Sequence, residues 1–139
     1  MSKQTLKRFL RVLGWELRRL PDSQLPRRHT TQFDGQPLSL WLVNADTNAW
    51  WGKPTIAMNA EYGSLKSLCL PGETVLDVGG HHGFTTILFA RQVGPQGRVI
   101  SIEANPFNAL VLQANVGLNR LTNVECVPTA VGRYRRRSA

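Results

Sequence analysis

The sequence predicts an α/β protein whose main part is a doubly wound parallel sheet, and three observations carry that expectation. Residues 70–132 alternate strand-like and helix-like segments, an order that belongs to parallel strands joined by crossover helices. The first of these strands runs straight into the turn Gly79-Gly80-His81-His82-Gly83, which opens a helix. The second strand ends on an acidic residue, Glu103.

Taken in order, residues 4–20 read as a helix. Leu6, Phe9, Leu10, Leu13, Leu17 and Leu20 recur at spacings of three and four, so they share one face, and Pro21 stops the segment. Residues 21–37 read as loop, rich in Pro, Asp, Ser and Thr, with Asp34-Gly35 as a turn signal. Leu38–Val43 reads as a strand, residues 44–57 as an irregular stretch holding Trp50 and Trp51, and 58–68 as a short helix. Beyond the Pro71-Gly72 turn come a strand at Thr74–Val78 and a helix from Phe84 to about Val93, stopped by Gly94-Pro95-Gln96-Gly97. A strand at Arg98–Ile102 follows, then a helix over Phe107–Asn119 with Pro106 in its first turn, and a third strand at Val124–Val127. The expected organisation is therefore a basic amphipathic helix over 1–20, an N-terminal extension over 21–69, the α/β part over 70–132 and a basic tail over 133–139.

At 139 residues the chain has a one-domain length, and 42% hydrophobic residues suffice for a core. The formal charge of +8 is unevenly placed. Residues 1–20 hold six Lys/Arg against one Glu, and 133–139 hold four Arg, whereas 21–132 hold seven basic and eight acidic residues. A near-neutral middle argues against nucleic acid as a partner, although basic ends leave open a non-catalytic module that touches membrane or nucleic acid. A leucine face with a basic rim over 1–20 can lie on a membrane surface or pack on the domain. Cys69 and Cys126 are far apart among apolar neighbours and read as buried free thiols. No apolar run approaches the ~18 residues of a membrane span, and the first residues lack a signal-peptide core, so the expected location is the cytoplasm.

Asp77-x-Gly79-x-x-x-Gly83 lies where open α/β sheets bind ligands, at the carboxyl end of a strand. Gly79 lets the backbone approach a ligand, and Gly83 lets the helix begin close to the sheet. The dinucleotide pattern fails, because His81 and Phe84 stand where glycines are needed; no Gly-Lys-Ser/Thr follows for a phosphate loop. Glu103, 24 residues after Gly79, is placed to accept both hydroxyls of a ribose, at about 1.5–3 kcal/mol for each charged hydrogen bond. A glycine turn without a phosphate grip plus a ribose acid suits S-adenosylmethionine. Adjacent His81 and His82, with only His29 elsewhere, do not make a metal shell. They read as loop residues over the cofactor, with a role as base the alternative.

These residues resemble the class I S-adenosylmethionine-dependent methyltransferases and, among them, the FkbM-type family. The first motif of that family, Asp-Val-Gly-Ala-Asn-x-Gly, corresponds to Asp77, Val78, Gly79, Gly80, His81, His82 and Gly83. Its Glu-Pro-Asn-Pro corresponds to Glu103, Ala104, Asn105 and Pro106, its paired asparagines to Asn115 and Asn119, and its Ala-Val-Gly to Ala130, Val131 and Gly132. The resemblance implies a Rossmann-like fold and methyl transfer to a hydroxyl of a sugar or small metabolite. It implies a cofactor site of Asp77, Gly79, Gly80, His81, Gly83, Glu103, Ala104 and Asn105: Asp77 and Gly79 toward the methionine part, Glu103 at the ribose, Ala104 and Asn105 at the adenine. It assigns no catalytic residue. Members continue through further strands where this sequence reads "RYRRRSA", so the expectation is the N-terminal half of such a domain, weakly active or inactive, with an apolar edge open to self-association.

Overall fold

The computed structural model of the chain describes residues 2–14, 25–57 and 60–132. The remainder of the helix expected over 4–20 beyond residue 14, and the tail over 133–139, lie outside the described residues. Helix α1 (Lys3–Val12) begins at Ser2, whose Oγ accepts the Thr5 N–H at 3.1 Å, and gives way at Leu13 to Gly14, a left-handed residue with φ of 78°.

A first sheet has the order β2-β1-β3. β1 (Arg27–Phe33) and β2 (Gln36–Leu42) form an antiparallel hairpin, and β3 (Thr55–Ile56) runs parallel to β1. The hairpin turns on Asp34 and Gly35, with φ of 52° and 71°, as two-residue hairpin loops of this hand require. The loop expected over 21–37 is thus corrected, because Arg27–Phe33 is a strand. Arg27, Arg28, Thr30 and Gln32 are exposed, and only Thr31 and Phe33 are buried. The stretch over 44–57 is not irregular either. Helix α2 (Ala45–Trp51) is fixed by a reciprocal cap: Asn44 Oδ1 accepts the Thr47 N–H at 2.8 Å, and Thr47 Oγ1 accepts the Asn44 N–H at 3.2 Å. Helix α3 (Ala60–Leu68) leads to the second sheet.

That sheet consists of β4 (Thr74–Val78), β5 (Arg98–Ile102) and β6 (Val124–Val127), all parallel in the order β4-β5-β6. The crossovers are α4 (Phe84–Val93) and α5 (Pro106–Leu118). Right-handed crossovers in this order place both helices on one face of the sheet, where Val99 and Ser101 are buried. The elements match the sequence expectation of a methyltransferase-like α/β fold.

The hairpin shares the core of the α/β part. Phe33, Leu38, Leu40 and Leu42 pack with Trp51, Ile56 and with Phe84 and Ile87 of α4. A second cluster joins Cys69, Ala90, Val93 and Val99. Both cysteines are free thiols, Cys69 buried and Cys126 half-buried.

Candidate cofactor-binding site

The strand ends and the glycine turn meet in one place because β4 hands its chain directly to α4 across five residues. Gly79 and Gly80 both donate their N–H to the Ile102 carbonyl, at 2.8 and 3.1 Å, which ties the turn to the end of β5. Gly79 has φ of 88°, and a Cβ built on it would meet nothing within 4 Å. Space therefore opens above it, as a backbone that receives a ligand needs. Gly80 is different. A Cβ there would lie 2.1 Å from Ser101 Oγ and 2.6 Å from Leu112 Cδ1, so a larger residue would have to push these side chains aside. Gly83, φ 86°, starts α4 with the Leu112 side chain close by.

Asp77 points toward the helix-covered side. Its Oδ2 accepts Thr86 Oγ1 at 2.5 Å and Ser101 Oγ at 3.4 Å, and the two hydroxyls lie 3.0 Å apart. Thr86 and Ser101, both buried, hold this carboxylate; the sequence reading did not single them out.

Glu103 lies at the end of β5 with each oxygen engaged. Oε2 accepts the His81 N–H and Oε1 the Asn105 N–H, both at 2.8 Å. Burial pushes its carboxyl up. The backbone donors of Asn105 and His81, the His81 charge and the Asn108 side chain together outweigh that and leave it below the usual carboxylate range. The carboxylate is held charged, with acceptor capacity left for an outside hydroxyl. Ala104 and Asn105 are exposed, and the Asn105 side chain caps α5 through the Phe107 and Asn108 N–H groups at 2.9 and 3.3 Å.

The two histidines part ways. His81 takes a left-handed φ of 49°, half-buried, with its ring stacked on His82 at 3.9 Å and tilted toward Trp50 at 6.1 Å. His82 is not a loop residue over a ligand: it is 1% exposed, beside Trp51. Its Nε2 lies 3.1 Å from Asn108 Oδ1, and its Nδ1 has no hydrogen-bond partner. Burial, then the neighbouring His81, push the His82 pKa down, against smaller opposing effects of Asn108 and Glu103. With Asn108 Oδ1 as acceptor, the neutral ring carries its proton on Nε2. Asn108 thus holds the buried ring and also helps to lower the Glu103 carboxyl, a role the sequence did not announce.

Asn115 of α5 and Asn119, the residue that caps its C-terminal end, bind the edge of β2. Asn115 Oδ1 accepts the Trp41 N–H at 2.6 Å, and its Nδ2 donates to the His82 carbonyl at 2.7 Å. Asn119 takes the Ser39 N–H at 3.2 Å and gives to the Ser39 carbonyl at 2.7 Å. The Asn115 amide therefore fastens the hairpin to the glycine turn, and the Asn119 amide fastens it to the end of α5. A cavity of about 150 Å³ between Phe33, Tyr62, Leu65 and Leu88 opens beside α3 and α4, away from the strand ends, and contributes nothing to this site.

A parallel sheet with a glycine turn after its first strand and a fixed carboxylate after its second defines a domain of the class I S-adenosylmethionine-dependent methyltransferases. The family model for protein-L-isoaspartate(D-aspartate) O-methyltransferase matches residues 31–133, and the chain belongs to that family. It is 42% identical over 84 residues to a catechol O-methyltransferase of Mycobacterium tuberculosis (strain ATCC 25618 / H37Rv), a match covering 57% of this chain and 36% of that protein. It is 46% identical over 55 residues to an arsenite methyltransferase of Halobacterium salinarum (strain ATCC 700922 / JCM 11081 / NRC-1), covering 40% of this chain and 14% of the relative. Among solved structures, M. jannaschii TYW2 in complex with AdoMet superposes with a TM-score of 0.51 at 23% identity, covering 73% of this chain and 43% of that one, a likeness of fold. The chain thus spans about a third or less of the length of these two curated relatives.

Proposed function

We propose that the chain binds S-adenosylmethionine at the ends of β4 and β5 and serves methyl transfer to an oxygen acceptor. The carrying observation is Glu103, whose two oxygens are fixed by N–H groups from two separate segments, His81 on the turn and Asn105 before α5. Glu103 would accept the ribose hydroxyls, the open backbone at Gly79 would receive the amino-acid part, and Ala104 and Asn105 would border the adenine. His81 contributes its N–H rather than its ring. Gly80, Gly83 and Asp77 shape the turn from beneath. The cofactor supplies an electrophilic methyl group on a sulfonium. The protein's share is to hold an acceptor in line with it. His82, buried and bonded to Asn108, is not available as a base, and no base is assigned.

An oxygen acceptor is supported by the family and the catechol relative, both described as O-methyltransferases. The finer FkbM-type reading, with a sugar or small-metabolite hydroxyl as acceptor, rests on the spelling of residues 77–83 and 103–106. Calorimetric titration of the folded chain with S-adenosylhomocysteine and with NAD tests the proposal. S-adenosylhomocysteine should bind, and Glu103→Ala should weaken it at least about tenfold, since even one charged hydrogen bond is worth about 1.5–3 kcal/mol. Binding of NAD without S-adenosylhomocysteine would refute the cofactor, and an unchanged affinity in Glu103→Ala would remove Glu103 from the site.

A further inference from the structure

Helix α1 shows an apolar face on which Leu6 and Leu10 are half-buried while Phe9 and Leu13 are left exposed. Leu6, Phe9, Leu10 and Leu13 fall on one side of the helix, and Phe9, Val12 and Leu13 are 58%, 82% and 56% exposed. Among the described residues, α1 packs extensively on no other element. Packing of this face on the domain, one of the two readings of the sequence, does not account for the exposed Phe9 and Leu13.

The opposite side of the helix carries Lys7, Arg8 and Arg11, with Lys3 in the same segment and no acidic residue from Lys3 to Val12. An apolar strip flanked by uncompensated cations matches one surface chemistry: hydrocarbon beneath anionic headgroups. A second copy of the chain is a poorer occupant, because pairing two α1 helices brings like charges together. Nucleic acid would answer the cations but leave Phe9, Val12 and Leu13 in water. We infer that α1 docks the protein on an anionic lipid bilayer, lying in the interface with Leu6, Phe9, Leu10 and Leu13 inserted and Lys7, Arg8 and Arg11 at the headgroups. At about 1.5 Å per residue the helix is about 15 Å long. So short a helix supports reversible attachment rather than permanent anchoring. None of the described helices is long and apolar enough to cross a membrane, which leaves the interface as the mode available to α1.

The test is co-sedimentation of the full chain with vesicles of one part phosphatidylglycerol to two parts phosphatidylcholine, and with pure phosphatidylcholine. The mixed vesicles should bind it and the neutral ones should not, with binding falling as salt rises. Each replacement of Lys7, Arg8 or Arg11 by Gln should lower partitioning about fivefold, the effect of one cation near an anionic surface. Phe9→Gln/Leu13→Gln should abolish sedimentation. Both side chains are exposed, so the melting temperature should stay unchanged, which separates lost docking from lost folding. Failure to bind mixed vesicles at low salt would overturn the inference. So would binding that persists in Phe9→Gln/Leu13→Gln, which would transfer it to another apolar surface. Capture of a single-stranded RNA oligonucleotide by the same cations, without vesicle binding, would overturn it in favour of nucleic acid.

Discussion

The two faces of the β4-β5-β6 sheet differ sharply. On one, Val99 and Ser101 lie fully beneath α4 and α5, and Asp77 reaches the Thr86 hydroxyl. On the other, Leu76 and Val78 are 61% and 58% exposed, with Ile100 and Ile102 paired beside them and only half-buried. The outer edge of β4 has no strand partner among the described residues. The covered face explains how the turn is held: every group that fixes Gly79 to Gly83 comes from that side or from the end of β5. The bare face and edge contribute no group to the site, yet they are apolar. The difference separates what shapes a cofactor cleft from what would keep such a sheet from associating.

The strongest challenge to this comparison is Gly80→Ala. The new methyl would collide with Ser101 Oγ and Leu112 Cδ1 and push apart the hydroxyl pair that holds Asp77. Destabilisation by about 3 kcal/mol is expected from overpacking combined with a displaced buried hydroxyl. Chemical denaturation measures it. Adding Ser101→Gly should restore part of the loss, because the two sites touch and their effects are not additive. If Gly80→Ala melted like the parent, the turn would not rest on the covered face as described.

Next in size is a matched pair across the sheet. Val99→Ala removes two methyl groups from a fully buried side chain and should cost about 1.5–3 kcal/mol. Leu76→Thr/Val78→Thr alters exposed positions and should change stability by about 0.5 kcal/mol or less at each. Its effect should appear instead in sedimentation velocity, as less self-association than the parent. Equal stability losses for the two variants would mean that something covers Leu76 and Val78. A parent that stays monomeric at high concentration would show that the open edge is harmless.

Where the sequence could be read and where it could not follows a similar division. Thr74–Val78, Phe84–Val93, Arg98–Ile102 and Val124–Val127 have the bounds expected, because short apolar strands and helices there are punctuated by Pro71-Gly72, the glycine turn and Gly94–Gly97. β1 was missed because its signal is only half a strand: Arg27–Phe33 is polar on its exposed side. α2 was missed although Asn44 and Thr47 spell a cap, because the two tryptophans conceal a seven-residue helix. Asn115 and Asn119 stood out as a motif, but their partners Trp41 and Ser39 lie 74 and 80 residues upstream, so spacing could not show what they clasp. The sequence reads His82, with His81, as a loop residue over the cofactor. The positive φ of His81 turns the chain so that the second ring goes inward, and local sequence does not reveal that rotation.

That buried ring yields the smallest effect. His82 has a pKa lowered from 6.5, first by burial and then by His81. Above 6.5 the ring is neutral in both folded and unfolded chains, so it adds no pH dependence. As pH falls below 6.5, the unfolded chain takes up the proton first, while the folded one resists because the cation would be buried beside Trp51 with Nδ1 unpartnered. Unfolding thus gains protons, and stability declines between 6.5 and the lower folded pKa, then levels off below it. His82→Gln keeps a side-chain amide that can donate to Asn108 Oδ1 but cannot titrate in this range. Its stability at neutral pH should be somewhat lower through imperfect packing, and its profile from pH 7 to pH 5 should be flatter than the parent's. Glu103 does not produce the same signature, because its depressed carboxyl stays charged through that window. Thermal melts across the range measure both profiles. Identical slopes for parent and His82→Gln would show that the ring is not the group excluded from protonation, and that the space beneath the turn admits a charge.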